Sequence, residues 1–259
     1  MEYILIPITA LAASFLTFYS GFGLGTILLP VFALYYPLEL AIALTASVHL
    51  LNNLFKLGLV SKNINWYVLF QFGVPSAAAA FVGAYLLKQI SKENLSVLQY
   101  NIGSHVFSVT WSGLIIGFLI ILFAFVELSK KLSEKTFDKK YFLVGGFLSG
   151  FFGGLTGHQG ALRSAFLLRM ELAKPAFIAT GVMIACLVDL VRLSIYTNFE
   201  VLEHGQINYY LLALAVLSAW LGAFAGNKLF TKTSLQFFKW FVGVFMLAMG
   251  VLIGVGIVG

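Results

Sequence analysis

Four cations lie inside long apolar stretches of this chain of 259 residues, and three of them have the setting of an anion-binding group. Lys56 and Arg192 each follow a polar residue by three positions, Asn53 in one case and Asp189 in the other. Arg163 comes about one helical turn after a glycine-rich run. A cation in the core of a bilayer costs at least about 2.5 kcal/mol, so its presence requires a counter-charge or a charged ligand. These residues predict the binding of a small anion inside a membrane.

Glycine-rich runs interrupt two of the apolar stretches and supply the other half of this predicted site. Non-helical backbone at membrane depth is tolerated only where it is packed in protein or lines a wet cavity. A helix that begins after such a break presents free N–H groups and a positive dipole end, which both favour an anion. The predicted substrate-binding residues are therefore Gly21, Gly23, Gly25, Asn53, Lys56, Gly157, His158, Gln159, Gly160, Arg163, Asp189 and Arg192.

Other roles for these side chains stay open at this point. Asp189 and Arg192 could form a structural ion pair on one helix, and Lys56 could extend to the lipid headgroups. His49 and His105 are predicted to lie within helices, where they could relay protons, although histidines that only pack helices together are commoner. The sequence has no metalloprotease, serine hydrolase or Walker motif, so we expect no enzymatic activity, no metal site and no cofactor.

The composition places the whole chain in a membrane. Hydrophobic residues make up 60% of it, charged residues 10%, and the mean hydropathy is +0.96. In a soluble domain about a quarter of all residues are usually charged, so the composition excludes soluble proteins. The net charge of +6 is interpreted as loop charge that sets orientation, and no nucleic-acid partner is expected.

The chain also contains an internal repeat. Ile64-Asn65-Trp66-Tyr67 resembles Ile207-Asn208-Tyr209-Tyr210, and the two glycine-rich runs and the two buried cation positions recur in the same order. We therefore predict a first membrane repeat over residues 1–126, a charged linker over 127–140 and a second repeat over 141–259. The eight apolar stretches run over about 3–36, 38–60, 66–90, 95–126, 142–171, 175–197, 207–230 and 235–258.

The loop charges indicate that the repeats are inverted. If each glycine-broken stretch enters and leaves on one side, ten loop cations share one face and only Lys88 and Lys92 lie on the other. If every stretch crosses once, the same cations divide six to six. Only the first arrangement obeys the positive-inside rule. The predicted fold is an all-α polytopic membrane protein with two inverted repeats, each a glycine-broken helical hairpin plus three transmembrane helices.

Several of these motifs resemble those of the sulfite exporter TauE/SafE family. The resemblance rests on the paired glycine breaks, on the run Gly21-x-Gly23-x-Gly25-x4-Pro30 and on the duplicated helices rich in small residues. It implies a polytopic inner-membrane transporter for small sulfur-containing anions such as sulfite, sulfonates or sulfoacetate. Leu24 replaces a glycine of the family pattern in the first half. In the second half His158, Gln159 and Arg163 stand at a break that is usually bare backbone, which suggests additional anion contacts.

The functional hypothesis is accordingly a secondary transporter that exports a small sulfur-containing anion from the cell across the plasma (inner) membrane. An anion channel and a non-transporting membrane assembly subunit are the alternatives. The expected partners are the anion and the lipid bilayer, and homo-oligomer formation is left open.

The inverted arrangement makes a prediction about topology. Both termini should be extracytoplasmic and the linker over residues 127–140 should be cytoplasmic, because the lysine-rich face stays inside. A reporter fused after Gly259 that is active only outside the cytoplasm should therefore be active. A reporter active only in the cytoplasm provides the opposite control, and its activity at this position would contradict the inverted arrangement.

Overall fold

Ten helices and one β-hairpin form the part of the chain that the computed structural model describes, residues 1–18, 23–92, 96–129, 137–196, 207–229 and 235–259. Short 3-10 turns over Ser61–Asn63, Lys139–Tyr141 and Leu168–Met170 adjoin the helices, and α4 contains a π-helical turn over Leu69–Gly73. The elements are α1 (Glu2–Leu16), α2 (Leu24–Ala33), α3 (Leu38–Val60), α4 (Trp66–Lys92), β1 (Ser96–Ile102), β2 (His105–Thr110), α5 (Trp111–Leu128), α6 (Phe142–Thr156), α7 (Gly160–Leu167), α8 (Lys174–Tyr196), α9 (Tyr209–Leu229) and α10 (Leu235–Gly254).

The long helices confirm a polytopic membrane protein. Within the described residues, five helices are long and apolar enough to cross a bilayer, namely α3, α4, α5, α8 and α9. Helix α10 has 20 residues, which is the length that a crossing needs. Many large apolar side chains on these helices face outward, Phe118 and Leu221 among them, as lipid-facing residues should.

The two glycine-rich runs divide their stretches into short helices. Helices α1, α2, α6 and α7 have 15, 10, 15 and 8 residues, so each spans about 12–22 Å, less than the roughly 30 Å of a hydrocarbon core. Gly23 precedes α2 with φ 116°, and Gly157 ends α6 with φ 84°. Side chains rarely adopt such angles, which explains glycine at both breaks. Because Gly145 of α6 packs against Phe166 of α7, the chain folds back at the second break.

Glycines also let α6 lie directly against α4. A Cβ atom added to Gly150 would lie 1.9 Å from the Ser76 carbonyl oxygen, and one added to Gly154 would lie 2.1 Å from the Ala80 carbonyl oxygen. The backbones are therefore too close for any side chain at these positions, as in other membrane helix pairs with small residues four apart. This contact fixes the first half of the broken stretch against a full-length helix.

Helices at corresponding places in the two halves of the chain make corresponding contacts. Helix α1 packs against α9 as α6 packs against α4, and both pairs run parallel. Helix α3 packs against α8, and α5 packs against α10. Both pairs run antiparallel. Gly113 near the start of α5 faces Ile253, whereas Leu128 at its end faces Gly243. In the other pair His49 of α3 contacts Asp189, whereas Asn65, just after α3, contacts Thr180 near the start of α8.

The β-hairpin differs from the prediction that the stretch over residues 95–126 is helical. Strands β1 and β2 pair antiparallel through a turn in which Gly103 has φ 62°. The dipeptide Gly103-Ser104 favours a two-residue hairpin turn, and valine and isoleucine in the flanking segments favour strands. This local preference outweighs the apolar composition from which a helix was predicted. An open sheet edge is not tolerated in hydrocarbon, so the hairpin lies outside the membrane core and the crossing is the 18 residues of α5.

The end of α5 differs slightly from the predicted start of the linker. The helix continues through Leu128, so Glu127 is a helical residue and not the first linker residue. Its side chain is buried. Lys130 to Thr136 of the predicted linker lie outside the described residues.

The glycine contact between α4 and α6 yields a stability prediction. Gly150→Ala should destabilise the protein by about 1–3 kcal/mol, because the two backbones must separate to admit the methyl group. Gly58→Ala is the matched control, since a Cβ there meets nothing within 4 Å and alanine favours a helix. The thermal unfolding midpoint in detergent should fall for Gly150→Ala only. Equal midpoints for both variants would contradict this packing.

Candidate functional site

The two helix breaks meet beside the middle of α3. A Cβ atom on Gly25, in the first turn of α2, would lie 4.0 Å from the Gly157 carbonyl oxygen of the second break. It would also lie 3.8 Å from the side chains of Thr45 and His49 on α3. The structure therefore brings together residues from the two halves of the chain that are more than a hundred positions apart.

The carboxylate of Asp189 on α8 is the centre of a buried hydrogen-bond network at this point. His49 Nδ1 donates to Asp189 Oδ2 over 2.6 Å, and Asn53 Nδ2 lies 3.5 Å from the same oxygen. Arg192 donates to Oδ1 from Nε over 3.0 Å and pairs with it through Nη2 at 2.9 Å. Gln159 Nε2 donates to Oδ1 over 3.4 Å. One carboxylate thus ties α3, α8 and the second break together.

Arg163 joins this network through a neutral side chain. Its Nη1 donates to Gln159 Oε1 over 3.2 Å, and Gln159 in turn donates to Asp189. Arg163 lies in α7 one turn after Gln159, so the helical spacing places both side chains on the same face. The amide of Gln159 carries no charge, so it links Arg163 to Asp189 through hydrogen bonds alone.

Lys56 of α3 lies near the first break. Its side chain is 5% exposed, and its Nζ lies 5.5 Å from the centroid of the Phe18 ring, just before the break. The ammonium group is therefore buried in the bundle and does not extend from the end of α3. We name the set His49, Asn53, Lys56, Gln159, Arg163, Asp189 and Arg192 the buried polar cluster.

The buried polar cluster has more positive than negative charge. It contains three cations, Lys56, Arg163 and Arg192, and one carboxylate, Asp189, and all four side chains are at most 5% exposed. Charges removed from water are stabilised only by opposite charges or by hydrogen bonds. The cluster thus contains two more cationic side chains than carboxylates.

Arg192 also packs directly on the second break. A Cβ atom on Gly157 would lie 2.6 Å from Arg192 Nη1, so glycine is required at this position for space as well as for its φ. Four residues further along α8, the Tyr196 hydroxyl donates to the Gly154 carbonyl oxygen. Sequence reasoning did not identify Tyr196, although its position one turn after Arg192 was a usable signal.

His158 lies at the break but points to another environment. Its Nδ1 lies 3.0 Å from Thr156 Oγ1, and its ring stacks on Phe123 of α5 with 5.4 Å between centroids. It lines a small cavity together with Glu127, the second residue that sequence reasoning missed. An acid in the last turn of an apolar stretch was the available signal.

The remaining predicted residues are placed as follows. His105 is exposed on β2, so the prediction that it lies within a helix is wrong, and the structure does not bring it to the buried polar cluster. The turn at Gly103-Ser104 is the physical reason. Gly21 lies outside the described residues, Gly23 caps α2 and Gly160 begins α7.

The position of Asp189 yields a second stability prediction. Asp189→Asn should destabilise the protein by about 3–5 kcal/mol, because it leaves buried cations without their counter-charge. The double change Asp189→Asn with Arg192→Gln should recover part of this loss, since it also removes one of those cations. Glu171→Gln, at an exposed acid, is the control and should be neutral. Thermal unfolding in detergent measures all three, and a stable Asp189→Asn protein would contradict the central role of this carboxylate.

Comparison with known proteins agrees with this architecture. The family model described as Sulfite exporter TauE/SafE matches residues 6–253, which is nearly the whole chain. No match was found among curated proteins or among solved structures. The matched region contains both helix breaks and all ten helices, apart from the first residues of α1 and the last residue of α10. The chain therefore belongs to the sulfite exporter TauE/SafE family, and it is a multi-pass membrane protein of this transporter family.

Proposed function

We propose that this protein is a secondary transporter, without enzymatic activity, that exports a small sulfur-containing anion such as sulfite or an organosulfonate. The observation that carries this proposal is that three buried cationic side chains and one carboxylate lie where the two helix breaks meet. An oxyanion bound there would supply the negative charge that Asp189 alone does not provide. Membership of the sulfite exporter family supports sulfur oxyanions as the class of substrate.

The anion is held by the side chains of Arg163, Arg192 and Lys56 and by the first turns of α2 and α7. Guanidinium groups match the geometry of oxyanions because their N–H groups form a planar fork. The first N–H groups of a helix have no partner within the helix and point towards its N-terminal end. Gly25 and Gly160 lie in these first turns, where the lack of a side chain leaves the backbone accessible.

Transport follows from movement of two inverted repeats, residues 1–126 and 141–259, about this site. Corresponding helices of the two halves make corresponding contacts, which supports a two-fold relation between the repeats. Helices at corresponding places, α3 with α8 and α5 with α10, run antiparallel, as a two-fold axis in the membrane plane requires. Carriers built in this way bind their substrate near mid-membrane between the repeats and expose it to each side in turn.

The orientation completes the proposal. The charged linker between the two repeats faces the cytoplasm of a plasma (inner) membrane, and both termini are outside. Energy comes from an ion gradient or from the gradient of the anion itself, because the chain has no Walker motif.

Arg163 provides the decisive test of anion binding. In liposomes that contain the purified protein, Arg163→Gln should reduce efflux of radiolabelled sulfite by about 10–100-fold. The reason is that a hydrogen bond to a charged group contributes roughly 1.5–3 kcal/mol, and each 1.4 kcal/mol is tenfold. The variant must elute as a monodisperse protein, so that a folding defect is excluded.

Arg169→Gln is the matched control for this experiment. Arg169 is six positions further along the same segment and is exposed, so its loss removes the same charge from outside the bundle. Its efflux rate should equal that of the wild type. Equal rates for Arg163→Gln and the wild type would contradict the proposal, and electrical conductance far above carrier turnover would favour an anion channel.

A further inference from the structure

A second group of buried titratable residues lies at the second break, outside the buried polar cluster. Glu127 and His158 line one small cavity, which we name the Glu127 cavity. Their side chains are 6% and 4% exposed. The other lining residues are Thr26, Phe123, Gly160, Ala161 and Met246.

The ring of His158 is held so that one nitrogen remains available. Stacking on Phe123 fixes the plane of the ring, and Thr156 Oγ1 lies 3.0 Å from Nδ1. The other nitrogen, Nε2, is buried and has no hydrogen-bond partner among the residues that the structure describes. A buried polar atom without a partner is costly, so the site is suited to a ligand that Nε2 can bind.

A carboxylate and an imidazole that line one small cavity are suited to binding a proton. Aspartate, glutamate and histidine side chains form the proton relays of membrane pumps and transporters. The cavity is too small for a large ion with its hydration shell, and its remaining lining is apolar or weakly polar. We propose that Glu127 and His158 form a proton-binding site that couples movement of the anion to a proton gradient. This inference rests on the transport function proposed above.

The position of His158 explains how the bound proton acts on the anion site. His158 follows Gly157 directly, and the guanidinium of Arg192 packs against Gly157. A proton on His158 adds a positive charge beside Arg192 and disfavours its present position by repulsion. The first residues of α7, which hold Arg163 in place one turn later, also line the Glu127 cavity.

Among the residues that the structure describes, few charged groups lie around the Glu127 cavity. Helix α5 contributes Glu127. Arg192 of α8 does not line the cavity but packs against Gly157, the residue before His158. The lining residues from α2, α7 and α10 are Thr26, Gly160, Ala161 and Met246, and none of these titrates. Glu127 lies one residue before the end of α5, so the cavity lies close to the linker face of the bundle.

The test uses the purified full-length protein in liposomes and compares two assays with radiolabelled sulfite. Exchange at equal pH on both sides measures anion movement alone, and accumulation under an imposed pH difference measures coupling. The wild type should show both. Glu127→Gln should retain exchange within about twofold and lose accumulation at least tenfold. Glu127→Asp, which keeps a carboxylate, should recover accumulation, and Glu171→Gln, at an exposed acid, should behave as the wild type.

A second measurement needs no variant. A pH-sensitive dye inside the vesicles should report proton movement when a sulfite gradient is imposed, after subtraction of the signal from protein-free liposomes. This subtraction corrects for the pH change that neutral sulfur dioxide causes when it crosses the lipid without the protein.

The outcomes separate the coupling site from the transport function. Wild-type exchange without any response to the pH difference, or with a response to a sodium gradient in its place, overturns the proton site and leaves the transport function standing. Unchanged accumulation by Glu127→Gln overturns it as well. Loss of exchange in a folded Glu127→Gln protein also overturns it, because Glu127 would then belong to the anion path. Absence of both activities in the wild type contradicts sulfite transport itself.

Discussion

The arrangement of helices at the centre of this protein depends on the hydrogen bonds and the ion pair that the buried carboxylate of Asp189 accepts. A full negative charge with no exposure to water is stable only when its oxygens accept several hydrogen bonds and a cation is near. His49, Asn53, Gln159 and Arg192 provide these contacts from α3, from the second break and from α8. Because all four side chains contact the same carboxylate, the position of each element is linked to that of the others.

The glycine contacts make this arrangement possible. Half-helices of 8 to 15 residues cannot span a bilayer, so they need support along their length from complete helices. In lipid this support comes from close packing, since the hydrophobic effect does not drive apolar helices together there. The contacts of α6 with α4 and of α1 with α9 hold the half-helices rigidly enough to keep two backbone breaks at the centre.

Charge balance connects the architecture to the chemistry of the family. Three cations around one carboxylate would be a poor solution for a purely structural network, because each buried charge requires compensation. The proposed anionic substrate would add negative charge beside these cations while it is bound. Membership of the sulfite exporter family and the geometry of the breaks therefore support the same class of ligand.

The sequence by itself determined the membrane class, the two helix breaks and the identity of the buried cations. These follow from local properties: the length of apolar runs, the conformational freedom of glycine and the cost of a charge in lipid. It did not reveal the β-hairpin, because the apolar composition of residues 96–110 masked a short turn signal. Only the tertiary structure decided which polar residues meet. The contact of His49 with Asp189 spans 140 positions, and Glu127 shares a cavity with His158 because α5 packs beside the second break. Such pairings depend on how helices from the two halves pack, and no local pattern encodes them.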